Sequence, residues 1–112
     1  MPPATSPFLN GVPELLVLRL LAEREMYGYQ LVQAIRAATG EEIVLGEGVV
    51  YPVLHALERD GALAARRETV DGRSRVYYRL TPSGDARLGR LSDRWRRLQA
   101  GIAAVLERPR HA

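Results

Sequence analysis

Cysteine and lysine are both missing from these 112 residues, and histidine occurs only as His55 and His111. Without cysteine there is no disulfide framework and no thiolate metal site. Two histidines leave almost nothing from which to build a zinc centre or a Ser/His/Asp hydrolase. Paired carboxylates, a phosphate loop and a nucleophile elbow are also absent, which argues against an enzyme and predicts no catalytic residue, no metal and no cofactor. The apolar run LLVLRLLA is interrupted by Arg19 and is far shorter than a membrane span, and the opening MPPATSPFLN has no cationic n-region. A cytoplasmic protein without a membrane partner is the simplest expectation, with residues 1–10 as a loose, proline-rich arm. The length fits one small domain whose modest core leaves room for stabilisation by a partner subunit.

The charge that is present is all arginine on the basic side: 16 basic against 13 acidic residues, a net +3 and a pI near 9.8. Arginine suits bidentate phosphate and guanine contacts, but an all-arginine chain equally reflects a genome's base composition, so this signal is weak alone. The stretch GEGVVYPVLHALERDG, residues 46–61, says more. Val50, Val53, Leu54 and Leu57 share one helical face, leaving Gly48, Pro52, His55 and Arg59 on the other and Tyr51 on the flank. Pro52 has no amide hydrogen and is harmless only in a first turn, which predicts a helix start near Gly48 with free backbone donors. Gly61 suits the helix C-terminus.

Two helices are expected before it. The first runs from Pro13 to about Glu25, with proline and Glu14 where a helix start favours them; after a break at Met26 to Gly28 a second begins near Tyr29 and closes at Gly40. Leu31, Ala34, Ile35 and Ala38 repeat at helical spacing, and Tyr29 reads as a packing residue. Three compact helices with short joints outline a helix-turn-helix core.

Leu63 to Thr69 and Ser74 to Leu80 alternate around Asp71-Gly72, a strong hairpin signal. If Val70 faces Arg73, Leu63 opposes Leu80 and Ala65 opposes Tyr78 on the inner face. The outer face then pairs Arg66 with Tyr77, Glu68 with Arg75 and Ala64 with Arg79. Glu68 can satisfy Arg75, whereas Arg73 at the tip has no acidic cross-strand neighbour. Thr81-Pro82 starts a last helix, along which Leu88, Leu91, Trp95, Leu98, Ile102 and Val105 follow an a/d seam. Since the earlier elements already account for one core, that stripe is expected to meet a second chain in a symmetric dimer, with Arg94, Arg96 and Arg97 as solvated surface.

The order of these segments resembles that of PadR-type transcriptional regulators. The similarity spans about Leu9 to Leu91 and is carried by Tyr27-Gly28-Tyr29, Tyr51-Pro52, the DGRSRVYYRL hairpin and Leu80-Thr81-Pro82 with Gly84. It implies a mainly α fold with a small β-hairpin: a winged helix-turn-helix over residues 11–81, a C-terminal dimerisation helix over 82–108 and a tail over 109–112. One helix after the wing corresponds to the family's short form. The resemblance also implies a dimeric repressor whose third helix enters the DNA major groove, and a small aromatic effector at the dimer interface. The chain departs from the family pattern at Glu47, Val49 and His55, where small polar or cationic residues are usual, so the wing is expected to supply a larger share of the affinity.

The expected DNA-binding set is Gly48, Val49, Tyr51, His55, Arg59, Arg73 and Arg75. Gly48 would offer amides to a phosphate, and Tyr51 a hydroxyl. Val49 and His55 would face base edges, with Arg59 and Arg73 anchoring phosphates and Arg75 lying on the cationic face of the hairpin. Each has a plainer alternative: Tyr51 as cover for the core edge, His55 as surface, Arg59 as an ion pair with Glu58 or Asp60. Trp95 is by default a packing anchor of the seam, and otherwise the stacking surface for the effector. A winged helix that docks a protein rather than double-stranded DNA is the competing class.

Overall fold

The computed structural model describes residues 10–111, so the expected arm lies outside them except for Asn10, as does the last residue of the expected tail. The first helix, α1, spans Val12–Leu21, with Pro13 and Glu14 in its first turn. It does not continue to Glu25. The chain instead becomes extended at Met26–Tyr27, strand β1, which pairs antiparallel with a later strand, Met26 opposite Tyr78 and Tyr27 opposite Tyr77. Burial of Met26 in the core explains the early stop, because this side chain is taken inward with the sheet rather than with α1. The break expected at Met26 to Gly28 is thus a strand followed directly by helix α2, Gly28–Ala38. Gln30 caps its start by accepting the Tyr27 amide at 3.1 Å.

Helix α3 spans Glu47–Arg59. This corrects the argument from Pro52, which stands in the second turn and removes the amide that would bond the Gly48 carbonyl. Both residues face solvent, where water can serve that carbonyl. The apolar face is as expected: Val50, Leu54 and Leu57 are fully buried against Val17, Leu18 and Leu21 of α1 and Leu31 and Ile35 of α2.

Strands β2, Leu63–Val70, and β3, Arg73–Leu80, pair in the expected register, and β1 extends the hairpin into a sheet of order β1-β3-β2. Asp71 and Gly72 both have positive φ, 51° and 77°, as a two-residue hairpin turn of the favoured twist demands.

The last helix, α4, spans Pro82–Leu106. Thr81 caps it, accepting the Gly84 amide at 3.0 Å while its hydroxyl donates to the Gly61 carbonyl at 2.7 Å. Arg87 fastens the helix to the body, reaching Glu14 of α1 at 2.9 Å and Asp60 after α3 at 3.3 Å. The seam then divides. Leu88 is 8% exposed and belongs to the chain's own core, while exposure rises to 41% at Trp95 and 64% at Val105. The expectation that the whole stripe faces a second chain is corrected for its first heptad; from Trp95 onward the stripe is exposed among the described residues. Among the described residues no helix is long and apolar enough to cross a membrane.

Candidate nucleic-acid interface

The N-terminus of α2, the exposed flank of α3 and the hairpin tip enclose an open cleft of about 480 Å³. Tyr27, Gly28, Tyr29, Tyr51, His55 and the segment from Arg73 to Val76 line it, with Tyr78 at its floor. Four of the expected site residues, Tyr51, His55, Arg73 and Arg75, therefore come together. Gly48, Val49 and Arg59 lie on α3 outside the cleft lining. Gly48 is exposed at a helix start that no side chain caps, and Arg59 is exposed at the other end. Val49 is half-buried against the core, so its side chain is only partly available to a groove.

Tyr51 is placed by its neighbours. A Cβ at Gly28 would fall 2.1 Å from Cε1 of Tyr51, so the absence of a side chain at Gly28 admits the ring. Tyr51 also meets His55, stacked at 6.4 Å between ring centroids and 21° between planes. Tyr51 covers the edge of the core, as its plainer reading expects, and also lines the cleft. Burial pushes its hydroxyl above the ordinary tyrosine value of 10.0, and the Glu47 carboxylate adds to the shift. The phenol is therefore a neutral hydrogen-bond donor at physiological pH.

The hairpin distributes its charges differently from the expectation. Although Glu68 stands opposite Arg75 in the register, its carboxylate turns along its own strand to Arg66 at 3.1 Å. Arg66 also pairs with Glu25, which follows α1, and its guanidinium lies 4.7 Å from the Tyr77 ring centroid. That guanidinium holds the Glu25 carboxyl below its ordinary value. Arg75 instead lies 4.6 Å from the centre of the Tyr27 ring. The expected Glu68–Arg75 pair is replaced by a cation–aromatic contact, because β1 pairs with β3 and brings the Tyr27 ring beside Arg75. The ion pair considered for Arg59 is also replaced: Asp60 is bound to Arg87. None of the ion pairs among the described residues involves Arg59, Arg73 or Arg75.

Tyr27, Tyr29 and Ser74 also line the cleft, and sequence reasoning did not propose them. Tyr29 does not pack as expected but is 49% exposed. The available signal was the Tyr27-Gly28-Tyr29 segment itself, since two aromatics flanking a glycine suit a surface where rings pack closely on backbone. Trp95 lies on α4, with Leu91, Arg94 and Leu98, beside Gly11, Val12 and Leu15 in a separate cavity of about 120 Å³. Among the described residues no group of three His, Asp or Glu side chains could hold a metal ion.

A helix-turn-helix core carrying a three-stranded sheet and a hairpin wing defines a winged helix, followed here by one long helix. Residues 17–90 match the model of the transcriptional regulator PadR-like family. Transcriptional regulator Rv3488 of Mycobacterium tuberculosis is 38% identical over 81 residues, which make up 72% of this chain and 73% of that protein. A solved transcriptional regulator from Clostridium thermocellum superposes with a TM-score of 0.83 at 28% identity, over 88% of this chain and 97% of the other. A PadR family transcriptional regulator from Eggerthella lenta gives 0.79 at 31% identity, covering 91% and 88%. The chain belongs to the PadR-like family of transcriptional regulators.

Proposed function

We propose that the protein is a homodimeric, sequence-specific DNA-binding repressor. The observation that carries this reading is the convergence of Tyr51, His55, Arg73 and Arg75 on one cleft, with neither arginine in an ion pair among the described residues. Residues 11–81 form the DNA-binding unit. His55 and the free part of Val49 read base edges in the major groove, the α3 amides near Gly48 and the Tyr51 hydroxyl meet phosphates, and Arg73, Arg75 and Arg59 supply the cationic grip. Residues 82–108 form the dimerisation helix. Its outer half, from Trp95 to Leu106, is an apolar face that a second copy covers, and two copies read half-sites about 34 Å apart on a pseudo-palindrome. Trp95, exposed at that interface, is where a small aromatic effector stacks to release the operator.

The test is fluorescence anisotropy with a duplex taken from upstream of the protein's own coding region, titrated across a salt series. Four wing arginines in a dimer predict a slope of log K against log salt of roughly −3 to −4 from the wings alone. Arg73→Ala and Tyr51→Phe should each weaken binding, and Arg73→Ala should flatten the slope. Salt-independent binding, or none, would instead favour a winged helix that docks a protein. For the effector, the single tryptophan gives a direct readout: planar cationic compounds should quench Trp95 and lower DNA affinity together, and if they do neither, that part of the reading fails.

A further inference from the structure

Two arginines of the hairpin rest on tyrosine rings, and their charge environments are opposite. Arg66 lies over Tyr77 and is bound by the carboxylates of Glu25 and Glu68, so its charge and its N–H donors are occupied. Arg75 lies over Tyr27 and has no ion pair among the described residues. A ring takes the face of a guanidinium and leaves the donors around its edge available, whereas a carboxylate takes those donors. The ring of Tyr27 is itself fixed. Its backbone pairs with Tyr77, and the Tyr77 ring meets it edge-on at 5.4 Å and 77°. Because the Tyr27 amide also bonds the Gln30 side chain, the platform belongs to the body of the domain and not to the hairpin tip.

From this geometry we infer that Tyr27 is a positioning residue for DNA binding: it holds the Arg75 guanidinium by its face, leaving the donor edge for a phosphate or a base in the cleft shared with Tyr51 and His55. The inference rests on the DNA-binding reading above and adds a residue and a mechanism to it. A wing arginine on a long, flexible side chain loses rotamer freedom when it binds, and one stacked beforehand has already lost it. The carboxylate clamp on Arg66 makes the second half of the arrangement structural, anchoring β2 to the end of α1 while the Tyr27 half remains available to a ligand.

A double-mutant cycle on the full-length protein tests this, with a labelled duplex from upstream of the coding region as the probe. Arg75→Ala should weaken binding roughly tenfold, as loss of a charged hydrogen bond does. Tyr27→Leu should weaken it roughly two- to fivefold, the range of an exposed cation–aromatic contact. In the Arg75→Ala background Tyr27→Leu should have almost no further effect, and Tyr27→Phe should bind like the wild type. Equal losses from Tyr27→Leu in both backgrounds would overturn the inference, as would an equal loss from Tyr27→Phe. Should Tyr27→Leu fail to fold, progressively fluorinated phenylalanines at position 27 drain the ring's negative face at nearly constant shape. Affinity should fall with each fluorine, and a flat series sinks the idea. If the wild type shows no salt-dependent DNA binding, the functional reading falls; an additive cycle on a protein that binds removes the role of Tyr27 alone.

Discussion

Replacing Gly28 by alanine separates two effects that usually oppose each other at a helical glycine. Alanine is favoured over glycine in a helix by up to about 1 kcal/mol, and Gly28, the first residue of α2, has no positive φ that would make a side chain costly. Against that gain stands the Tyr51 ring. The new Cβ would fall 2.1 Å from Cε1, 2.7 Å from Cζ and 2.9 Å from the hydroxyl oxygen. Overpacking of this kind costs about 1–3 kcal/mol, but these are outer atoms of a half-buried side chain and can swing away. The expected net destabilisation is therefore at the low end, about 1 kcal/mol, or roughly 4 °C in thermal midpoint. The larger effect should be on binding: with Tyr51 displaced from His55 and the cleft, Gly28→Ala should lose as much DNA affinity as Tyr51→Ala does. Gly89→Ala, on α4 and outside the cleft lining, is the control. It is also helical, no atom lies within 4 Å of its new Cβ, and it should raise stability by about 0.5–1 kcal/mol. Denaturation curves and anisotropy titrations on the two variants decide the matter. A Gly28→Ala protein as stable and as tightly bound to DNA as the wild type would refute the packing argument.

A similar clash at Gly84 has no such relief, since its Cβ would meet the Ala62 carbonyl oxygen at 2.1 Å and Leu80 Cδ1 at 2.9 Å; Gly84→Ala should cost about 3 kcal/mol or more, read as a drop in denaturation midpoint. The Glu25–Arg66 pair predicts a pH signature. Because the folded-state value of Glu25 is depressed, its stabilisation is present above the ordinary value near 4.5 and is lost as pH falls through the lower folded value. The gap in thermal midpoint between wild type and Glu25→Gln should therefore close on acidification, and a gap constant with pH would contradict the assignment. Ile102→Asp, at a position 56% exposed in the single chain, should leave the winged helix folded by circular dichroism while shifting sedimentation from dimer to monomer. A dimer that persists in this variant would place the interface elsewhere.

Where the signal was local, the sequence reading was sound. The register of β2 and β3 followed from a two-residue turn and period-two alternation, and the buried face of α3 from its spacing. Thr81 was legible as a cap because Pro82 follows it at the first helical position and Asp85 lies in the first turn. Strand β1 was not legible, since two residues carry no period, and its presence is due to pairing with β3. That one omission propagated into the site. Without β1, Tyr27 could not be seen beside Arg75, and register alone assigned Arg75 to Glu68. The ion pairs Arg66–Glu25 and Arg87–Glu14 join residues far apart in the chain, a distance over which neither periodicity nor capping carries information. Pro52 gave the start of α3 to within one residue, near Gly48 against Glu47, although the proline stands in the second turn: the rule that excludes it there assumes a carbonyl that the chain must satisfy, and Gly48 is exposed to water.

The weak net charge of +3 is misleading as a guide to partners, because the acids are not spread evenly among the arginines. Glu14 and Asp60 bind Arg87, and Glu25 and Glu68 bind Arg66, so two arginines that fasten α4 and β2 to the body engage four carboxylates. Glu23, Glu41 and Asp93 pair with Arg19, Arg36 and Arg96 on the exposed surface. The positive excess is correspondingly concentrated where pairing is missing, and the hairpin tip with Arg73 and Arg75 is one such place. A phosphate approaching that tip meets cations that need not first break an ion pair, whereas one approaching Arg66 must compete with two carboxylates already in place. On the proposed reading this difference of environment, between residues of the same type nine positions apart on one hairpin, is how a chain of small net charge presents a nucleic-acid surface without the lysine-rich patch that usually advertises one. It also accounts for the acid at Glu47. At the start of α3 a carboxylate favours the helix dipole and opposes a phosphate, so on the proposed reading the wing supplies the larger share of the grip while α3 contributes discrimination through Val49 and His55.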